Sequence, residues 1–335
     1  MVSIDDVAGA AGVSTATVSR ALSGRGHVSA ATRERVVATA RSLGYVVSSS
    51  ASSLASGRTR NVGVIVPFLD RWFFSTVLSG ITSVLTRRGF DITLYNITAD
   101  ADARQKVFES FRQRRRVDAV IAVAVELDEY ETEQLTGLDI PIIAVGGRNP
   151  SLRTLAIDDV AVARLATEHL LTLGHRRVAY IGADAAFDLD FHVPSRRREG
   201  FELALHDAGM SSSDAVYETA DFTIQGGYHA TKRLLGTPGP RVTGIFAASD
   251  ETAIGALLAA RDLGVAVPQT VSVVGIDGHE LSEFFGLTTI AQYPFEQGAR
   301  AAESMLASLE GAAGADETPA PYALVVRSTT AAPPL

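Results

Sequence analysis

Aromatic and charged side chains follow short apolar segments in this sequence, where they are suited to binding a small molecule. The stretch 68–74, FLDRWFF, contains the only tryptophan of the chain. Aromatic faces stack on apolar ligand faces, whereas carboxylates and an arginine hold hydroxyl groups. This combination predicts a site for a polyhydroxylated ligand. The candidate ligand-binding residues are Trp72, Phe73, Phe74, Asp158, Phe191, Arg197, Phe222, Ser249, Asp250 and Asp277.

Four of these residues also have a purely structural interpretation, which the sequence leaves open. Ser249, Asp250 and Asp158 each suit the start of a helix, where a side-chain oxygen accepts hydrogen bonds from backbone N–H groups. Phe74 suits a hydrophobic core equally well. Position alone therefore does not assign these four residues to a ligand.

Enzymatic and metal-dependent functions find little support in the sequence. The chain has no cysteine, which excludes thiol catalysis, cysteine zinc sites and iron–sulfur clusters. It also lacks a G-x-S-x-G elbow, a P-loop and an HExxH motif. Its seven histidines show no close pairing typical of metal ligands. We therefore predict that the protein is not an enzyme and uses no cofactor and no metal.

The elements that must position the candidate residues alternate between apolar strands and helices. The strands are expected near 62–66, 92–95, 119–125, 140–145, 178–181, 244–247 and 271–276. The intervening helices are expected to begin near Phe73 and to lie near 102–112, 160–173, 195–209, 225–235 and 251–263. This alternation predicts an α/β fold with two lobes, each a doubly wound parallel sheet. Ligands bind beyond the carboxyl ends of such strands, so we expect the site in the cleft between the lobes.

The first sixty residues have a different, purely helical pattern. A capping box at Ser3 and Asp6 predicts a helix over 4–11, and Ser14 suits the cap of a second helix over 15–22. A third helix over 30–43 is expected to bury Val36, Val37, Ala40 and Leu43. Two helices joined by a tight turn with a glycine form a helix-turn-helix, whose second helix enters the major groove of DNA. An ordinary three-helix bundle is the alternative.

These two parts of the chain differ in net charge. Residues 1–60 carry seven arginines, no lysine and three acids, a net charge of +4, which leaves −12 on the other residues of a chain with net charge −8. A basic module on an acidic body suits a DNA-binding protein. The sequence shows no apolar run long enough to span a bilayer and no secretory signal. We therefore expect a cytoplasmic protein with no membrane partner.

The sequence of residues 4–45, IDDVAGAAGVSTATVSRALSGRGHVSAATRERVVATARSLGY, closely resembles the headpiece of LacI/GalR family transcription regulators. The resemblance extends through the rest of the chain. It implies a headpiece at 1–46, a hinge at 47–59 and an effector-binding and dimerisation domain at 60–335. Lobe one would comprise about 60–159 and 292–321, and lobe two about 160–291 and 322–335. The implied DNA-binding residues are Ser14, Thr15, Ala16, Thr17, Ser19, Arg20 and Leu54.

The hinge shows the clearest departure from the family pattern. In the family this segment folds on DNA into a short helix, and a leucine matched here by Leu54 wedges into the minor groove. Val47 and Ser48 stand where Pro-Asn is common, and Ser52 replaces a usual arginine. Serine competes for backbone hydrogen bonds, so a flexible linker is the alternative to a helix.

The resemblance also reaches the candidate ligand-binding residues. Phe73 and Phe74 match the aromatic pair after the first strand, and Asp158 matches the acid of an ID-D/N motif. Three more positions match family motifs around the cleft: Arg197, Ser249-Asp250 and Asp277. Trp72 replaces a common proline and Gly278 replaces a second acid, which implies a cleft that differs in detail.

Together these features predict a ligand-responsive transcriptional repressor. By resemblance it would be a homodimer that binds a near-palindromic double-stranded DNA operator and a small-molecule effector, most often a sugar or sugar derivative. A purine- or nucleoside-responsive regulator is the alternative effector class. A solute-binding protein for transport would share the two-lobed fold, but the headpiece and the absence of a secretion signal argue against it.

Overall fold

A computed structural model describes residues 2–23, 27–45, 58–97, 100–114, 116–147, 151–184, 192–211, 213, 215–237, 241–312 and 319–334. The chain divides into two compact units, residues 1–60 and residues 61–335. Each unit has its own hydrophobic core, so each is described by itself.

The first unit contains three helices whose ends are fixed by local hydrogen bonds. Helix α1 spans Ile4–Ala11, α2 spans Thr15–Ser23 and α3 spans Ala30–Leu43. The capping box of Ser3 with Asp6 forms as expected, and Ser29 caps α3 through the backbone N–H of Thr32. Helices α1 and α3 both end at a glycine in the left-handed conformation, which costs glycine little.

A small aliphatic core holds these three helices together. Val7, Val18 and Val36 are fully buried, one from each helix, and alanines fill the space between them. Small side chains allow the helix axes to approach closely. The expectation that Leu43 closes this core was wrong, since Leu43 is 37% exposed and Tyr45 packs against the core instead. The chain turns at Gly44, which brings the next residue over the core.

The second unit contains two sheets, and the first defines lobe one. Its strands are β1 (Asn61–Val66), β2 (Asp91–Asn96), β3 (Ala119–Val123), β4 (Ile142–Val145) and β5 (Arg153–Leu155). They are parallel in the order β2-β1-β3-β4-β5. Strands β1 and β3 are almost entirely buried because apolar clusters cover both faces of the sheet. Strand β2 lies at an edge and is half exposed, so its polar residues are tolerated.

The second sheet defines lobe two. Its strands are β6 (Val178–Gly182), β7 (Val216–Thr219), β8 (Gly244–Ala247), β9 (Ser272–Asp277), β10 (Thr288–Ala291) and β11 (Ala323–Val325). The order is β11-β10-β9-β8-β6-β7, and only the pairing of β10 with β11 is antiparallel among the described strands. The prediction of two doubly wound sheets is confirmed.

Helices cover both sheets. Lobe one carries α4 (Trp72–Arg87), α5 (Ala101–Arg114) and α6 (Glu129–Thr136). Lobe two carries α7 (Asp159–Thr172), α8 (Val193–Asp207), α9 (Ile224–Gly236), α10 (Asp250–Asp262) and a short 3-10 helix (Glu280–Ser282). Sequence patterning did not predict α6, β10, β11 or the helix that follows β10.

That last helix, α11 (Pro294–Leu309), follows a lobe-two strand but packs on lobe one. Two glycines allow it to lie directly against α4. A Cβ on Gly80 would stand 2.0 Å from the carbonyl oxygen of Phe295, and one on Gly298 would stand 2.0 Å from that of Val77. Because β10 belongs to lobe two, the chain crosses between the lobes at Gln292 and Tyr293.

Candidate functional site

A cleft with ligand-binding character lies between the two lobes, where the carboxyl ends of several strands meet. Strands β1, β3, β8 and β9 all end near it. Parallel strands direct their carboxyl ends and the following loops to one edge, so side chains from distant segments meet there. The cleft is lined by Phe68, Arg71, Phe73, Phe74, Ala124, Gly146, Ile157, Asp159, Val193, Arg197, Asp221, Phe222, Ser249, Glu251, Asp277, Gln292 and Gln297.

The lobe-one wall of the cleft is aromatic. Phe73 and Phe74, in the first turn of α4, meet edge to face with ring centroids 5.4 Å apart. Phe68, in the loop before α4, meets Phe74 in the same manner at 5.5 Å. Such edge-to-face contacts fix the orientation of each ring. Phe74 is buried in the core of lobe one and also lines the cleft, so its ligand-binding role stays a prediction beside its structural one.

Arg197 is the central charged group of the opposite wall. It lies on α8 and is only 6% exposed. Its Nε donates a hydrogen bond of 2.9 Å to Oδ1 of Asp159, and Nη1 donates to the carbonyl oxygen of Ala248. Nη1 also lies 3.8 Å from Oδ1 of Asp277. Asp159 and Asp277 therefore hold a buried guanidinium in place at the cleft surface, with donors of its planar group available to face a ligand.

Asp277, at the end of β9, joins this arginine to the segment that crosses between the lobes. Its Oδ1 accepts a hydrogen bond of 2.6 Å from Nε2 of Gln292. Gln297, on α11, in turn donates to the carbonyl oxygen of Gln292 at 2.6 Å. Burial raises the pKa of Asp277 to about 8, against the opposing attraction of Arg197 and with added repulsion from Asp250.

Asp250 and Ser249 stabilise the local structure at the start of α10. Ser249 caps the helix by accepting from the backbone N–H of Thr252 at 3.1 Å, although it also lines the cleft. Asp250 is fully buried and does not line the cleft. Its carboxylate accepts from the backbone N–H of His279 and the hydroxyls of Ser282 and Thr289, at 2.7–2.8 Å. Asp250 therefore organises the loop after β9.

Asp159 lines the cleft, whereas the sequence suggested Asp158 for this place. Asp158 caps α7, its side chain is 60% exposed, and it is not among the lining residues. Asp159, the first residue of α7, turns inward and meets Arg197. A cap residue and its successor point in different directions, since only the second has helical dihedral angles. The structure places the second acid of this motif at the cleft, and ligand binding by Asp158 stays a prediction.

Trp72 also lies beside the cleft but outside its lining. Its ring faces that of His279 with centroids 4.5 Å apart. Phe222 lines the cleft, whereas Phe191 lies outside the described residues. Sequence reasoning missed Asp159, Glu251, Gln292 and Gln297. The acid pair 158–159 was a visible signal, but no local pattern marked the two glutamines.

The candidate DNA-binding residues occupy one helix of the first unit. Ser14, Thr15, Ala16, Ser19 and Arg20 are exposed on or just before α2, and Thr17 is partly exposed. The hydroxyl of Ser14 accepts from the backbone N–H of Thr17 at 3.2 Å. Nε of Arg20 donates to the carbonyl oxygen of Ala16 at 3.0 Å, so the side chain follows the helix surface. The Leu54 prediction lies outside the described residues.

This combination of a helix-turn-helix unit with a two-lobed domain recurs in known proteins. Residues 3–48 match the family model described as bacterial regulatory proteins, lacI family. Residues 59–323 match the model described as periplasmic binding proteins and sugar binding domain of LacI family. The chain belongs to the LacI family. It is thus a DNA-binding transcription regulator whose ligand domain has the fold of a periplasmic binding protein.

Relatives of this LacI-family chain match it over nearly its whole length. It is 33% identical over 338 residues to the ribose operon repressor of Halalkalibacterium halodurans, covering 98% of this chain and 97% of that one. The lac repressor dimer bound to operator and the anti-inducer ONPF is 27% identical, with TM-score 0.86 and 99% of each chain covered. A ribose-bound LacI family regulator from Enterococcus faecium is 28% identical, with TM-score 0.71, covering 81% of this chain and 99% of that chain.

Two further observations concern the described residues only. No group of three or more His, Asp and Glu side chains among them is placed to hold a metal ion. In the same part of the chain, every helix is too short or too polar to cross a membrane. The matched relatives are transcriptional regulators and not enzymes.

Proposed function

We propose that this regulator is a repressor controlled by a small neutral polyol, most simply a monosaccharide, bound in the cleft between its lobes. The observation that carries the proposal is the pairing of two walls. An aromatic wall offers faces for stacking, while the buried guanidinium of Arg197 offers fixed donors, and Asp159 and Asp277 offer acceptors, for hydroxyl groups.

The size of the cleft supports a small ligand. Its volume of about 220 Å³ lies below the ~300–1,000 Å³ that ligand sites commonly span, which favours a small ligand. One relative is named a ribose operon repressor, and one similar structure contains ribose. Ribose is therefore the first ligand to test. Purine nucleosides are the alternative class, because four phenylalanines at the cleft could stack on a base.

A thermal-shift screen tests this proposal. Ribose, glucose, cellobiose and adenosine are each titrated into the full chain, and any shift is followed by isothermal titration calorimetry. The expected result is a saturable shift with at least one sugar, lost in Asp277→Ala. A response to adenosine alone would assign the cleft to nucleosides. If a sugar bound equally well to wild type and Asp277→Ala, the cleft would not be the effector site.

We infer that DNA recognition uses the exposed start of α2. Arg20 is suited to guanine O6 and N7, and Thr15 and Ala16 are small enough to let the helix approach base edges. Leu54 remains the proposed minor-groove wedge. Operator fragments selected from random DNA should bind the wild type tightly and Arg20→Ala or Leu54→Ala weakly in fluorescence anisotropy. Unchanged specific affinity in either variant would exclude that residue from operator recognition.

A homodimer is proposed to carry two such helices to a near-palindromic operator. An apolar surface after the 3-10 helix supports it, because Phe284 is 84% exposed and Leu281, Phe285 and Val326 are at least 36% exposed. The backbone N–H of Thr329 donates to the carbonyl oxygen of Gly286, which brings Val326 and the phenylalanines together. Exposed apolar side chains of this size suit a second copy of the chain.

Analytical ultracentrifugation tests the homodimer. Phe284→Glu should sediment as a monomer at concentrations where the wild type is a dimer, because a buried carboxylate opposes association. Leu263→Glu is the matched control, since Leu263 is an isolated leucine that is 40% exposed elsewhere on lobe two. If Phe284→Glu remained as dimeric as this control, the dimer would use another surface.

A further inference from the structure

Residues 327–333 form a strap along the lobe-two sheet, beside the first residues of β9 and β10. The backbone N–H of Val273 donates to the carbonyl oxygen of Thr329 at 2.8 Å, and the N–H of Ala331 donates to Oγ of Ser272 at 3.0 Å. These contacts lie at the amino ends of the strands, whereas the ligand cleft lies at the carboxyl ends. The strap is therefore separate from the proposed ligand site.

A histidine from the turn after α7 contacts the outer part of the strap. His175 is fully buried, and its Nε2 lies 2.9 Å from the carbonyl oxygen of Ala331. A carbonyl oxygen only accepts hydrogen bonds, so Nε2 carries the proton of the neutral ring. Nδ1, 2.9 Å from Oγ1 of Thr243, is then the acceptor and receives the threonine proton. The neutral imidazole therefore has a partner on both nitrogens.

A second histidine meets the strap one residue earlier. Nε2 of His169, on α7, lies 2.9 Å from Oγ1 of Thr330, which in turn lies 3.0 Å from Oγ1 of Thr288 on β10. Burial lowers the pKa of both histidines, and the nearby His169 lowers the pKa of His175 further, against the opposing effect of the hydrogen bond to Ala331. Both rings therefore favour the neutral state beneath the strap.

The charged groups around the two histidines do not compensate a proton on either ring. The polar partners of the two rings in the described part of the chain are hydroxyls and one carbonyl oxygen, with no carboxylate among them. Glu168, next to His169 in the sequence, pairs with Arg164 on the surface of α7. A buried charge on His175 therefore costs free energy until the ring reaches water. The charged neighbours on the adjoining segments are Glu168, Arg176, Arg177 and Arg327.

We propose that His175 is a proton-sensitive anchor of the strap, so that the strap lies closed on the neutral imidazole and opens when the ring is protonated. Moving Ala331 and the residues after it exposes the ring to water, because Pro333 covers the turn that carries His175. A Cβ on Gly174, in that turn, would stand 3.6 Å from Cδ of Pro333. Opening of the strap thus relieves the cost of the buried charge.

The strap also supports the loop that carries the exposed Phe284. The backbone N–H of Thr329 donates to the carbonyl oxygen of Gly286 at 3.1 Å, and Nη1 of Arg327 donates to that of Leu287 at 2.6 Å. Acidification therefore loosens this apolar surface of lobe two together with the strap. The cleft, at the other end of the strands, keeps its own contacts.

The direction of the pH dependence follows from the lowered pKa of His175 in the closed strap. A histidine in water has a pKa of about 6.5, so the open strap binds more protons than the closed strap as the pH falls below this value. The closed strap is fully stable above pH ~7 and is lost on acidification. While the closed ring stays neutral, the opening equilibrium constant rises about tenfold between pH 7.5 and pH 5.5.

Hydrogen–deuterium exchange of the full chain, read by mass spectrometry and corrected for the intrinsic pH dependence of exchange, tests the proposal. His175→Gln keeps a donor for Ala331 and does not titrate. The matched control is His206→Gln, because the side chain of His206 is 86% exposed on lobe two. The buried strand β8, residues 244–247, serves as an internal reference.

Exchange of residues 327–332 should become about tenfold faster from pH 7.5 to pH 5.5 in the wild type and in His206→Gln. In His175→Gln the rise should be less than about threefold, because only the half-buried His169 still titrates beneath the strap. The reference strand should keep its protection in all three proteins. This pattern would assign the pH response of the strap to His175.

An equal rise in His175→Gln and the wild type would overturn the proposal, as would a strap with no pH response. Loss of protection in β8 together with the strap would overturn it too, since the whole lobe would then be loosening. Should His175→Gln fail to fold, NMR titration of the His175 ring in the wild type decides. A pKa below 6.5 with the strap protected supports the anchor, and a pKa of 6.5 or above overturns it.

No sugar, DNA or dimer measurement enters this test, so its failure is distinct from failure of the proposed function.

Discussion

The two walls of the cleft are built from different chemistry and in different ways. The lobe-one wall consists of rings from one continuous segment, 68–74, which runs from the loop after β1 into the first turn of α4. The lobe-two wall includes Phe222, but its distinctive part is a set of charged groups from four separate elements: Asp159 on α7, Arg197 on α8, Glu251 on α10 and Asp277 on β9. One wall is local in the sequence, and the other exists only after folding.

This difference indicates what each wall contributes to the affinity and the selectivity of ligand binding. Aromatic faces tolerate many ligands, since stacking depends on area and little on direction. Fixed charges and hydrogen-bonding groups are directional and penalise any ligand that leaves them without partners. We therefore expect the lobe-one wall to contribute affinity and the lobe-two wall to determine which ligand binds.

The largest expected effect follows from removing the cation of the lobe-two wall. Arg197→Ala leaves Asp159 and Asp277 buried without their partner, which costs about 3–5 kcal/mol of the free energy of unfolding. Urea denaturation measures this loss. Arg198→Ala is the matched control, because its side chain is 57% exposed, pairs at the surface with Glu202 and lies over the ring of Tyr217, at a cost of about 1 kcal/mol. Equal losses in both variants would contradict the buried network.

A pH-dependent effect is expected from Asp277. Its pKa is raised by burial to about 8 when folded, against about 3.9 when unfolded, so the folded state binds more protons between these values. The stabilisation is complete below pH ~4 and is lost as pH rises through ~8, with a slope of up to about 1.4 kcal/mol per pH unit.

Asp277→Asn removes this titration and should give a shallower fall of the free energy of unfolding from pH 5 to pH 8. Denaturation midpoints at a series of pH values provide the measurement. Asparagine keeps the oxygen that accepts from Gln292, so the main change is the loss of the titrating group. Identical pH slopes for wild type and variant would show that Asp277 does not hold the extra proton.

On the lobe-one wall, Phe73→Ala should weaken ligand binding by about tenfold, or about 1.4 kcal/mol, because one stacking face is lost. Isothermal titration with the sugar identified by the screen measures the change. Phe90→Ala is the control, since Phe90 packs against the same lobe-one core but does not line the cleft. A larger loss of ligand discrimination in Phe73→Ala than in a lobe-two variant would reverse the assignment of the two walls.

The smallest expected effect is that of Asp158→Ala, which is compared with the same change at the adjacent acid Asp159. Asp158→Ala should cost about 1 kcal/mol of stability through the loss of the α7 cap and leave ligand affinity unchanged. Asp159→Ala should abolish binding, because Asp159 holds Arg197 in place. Measuring both variants with the same sugar tests the structural choice between them. Ligand binding lost in Asp158→Ala alone would restore the sequence-based assignment.

Much of the fold followed from the sequence because its signals are local. The capping box at Ser3, the cap at Ser29 and the glycine stop at Gly44 fixed the first unit to within a residue. The strands near the centre of each sheet were visible as apolar runs. Edge elements such as β11 were not visible in the sequence, since a half-exposed three-residue strand has no distinct pattern. Helix α11 was missed although it is 16 residues long.

The same distinction between local signals and long-range contacts applies to the candidate site. Sequence alone determined the aromatic segment 68–74 and the arginine and acids at strand and helix ends, because caps and apolar periodicity act between neighbours in the chain. Only the tertiary structure decided that Asp159 and not Asp158 meets Arg197, 38 residues away, and that Gln292 and Gln297 reach the cleft. These contacts depend on how α7, α8 and α11 pack on their sheets, which no local pattern encodes.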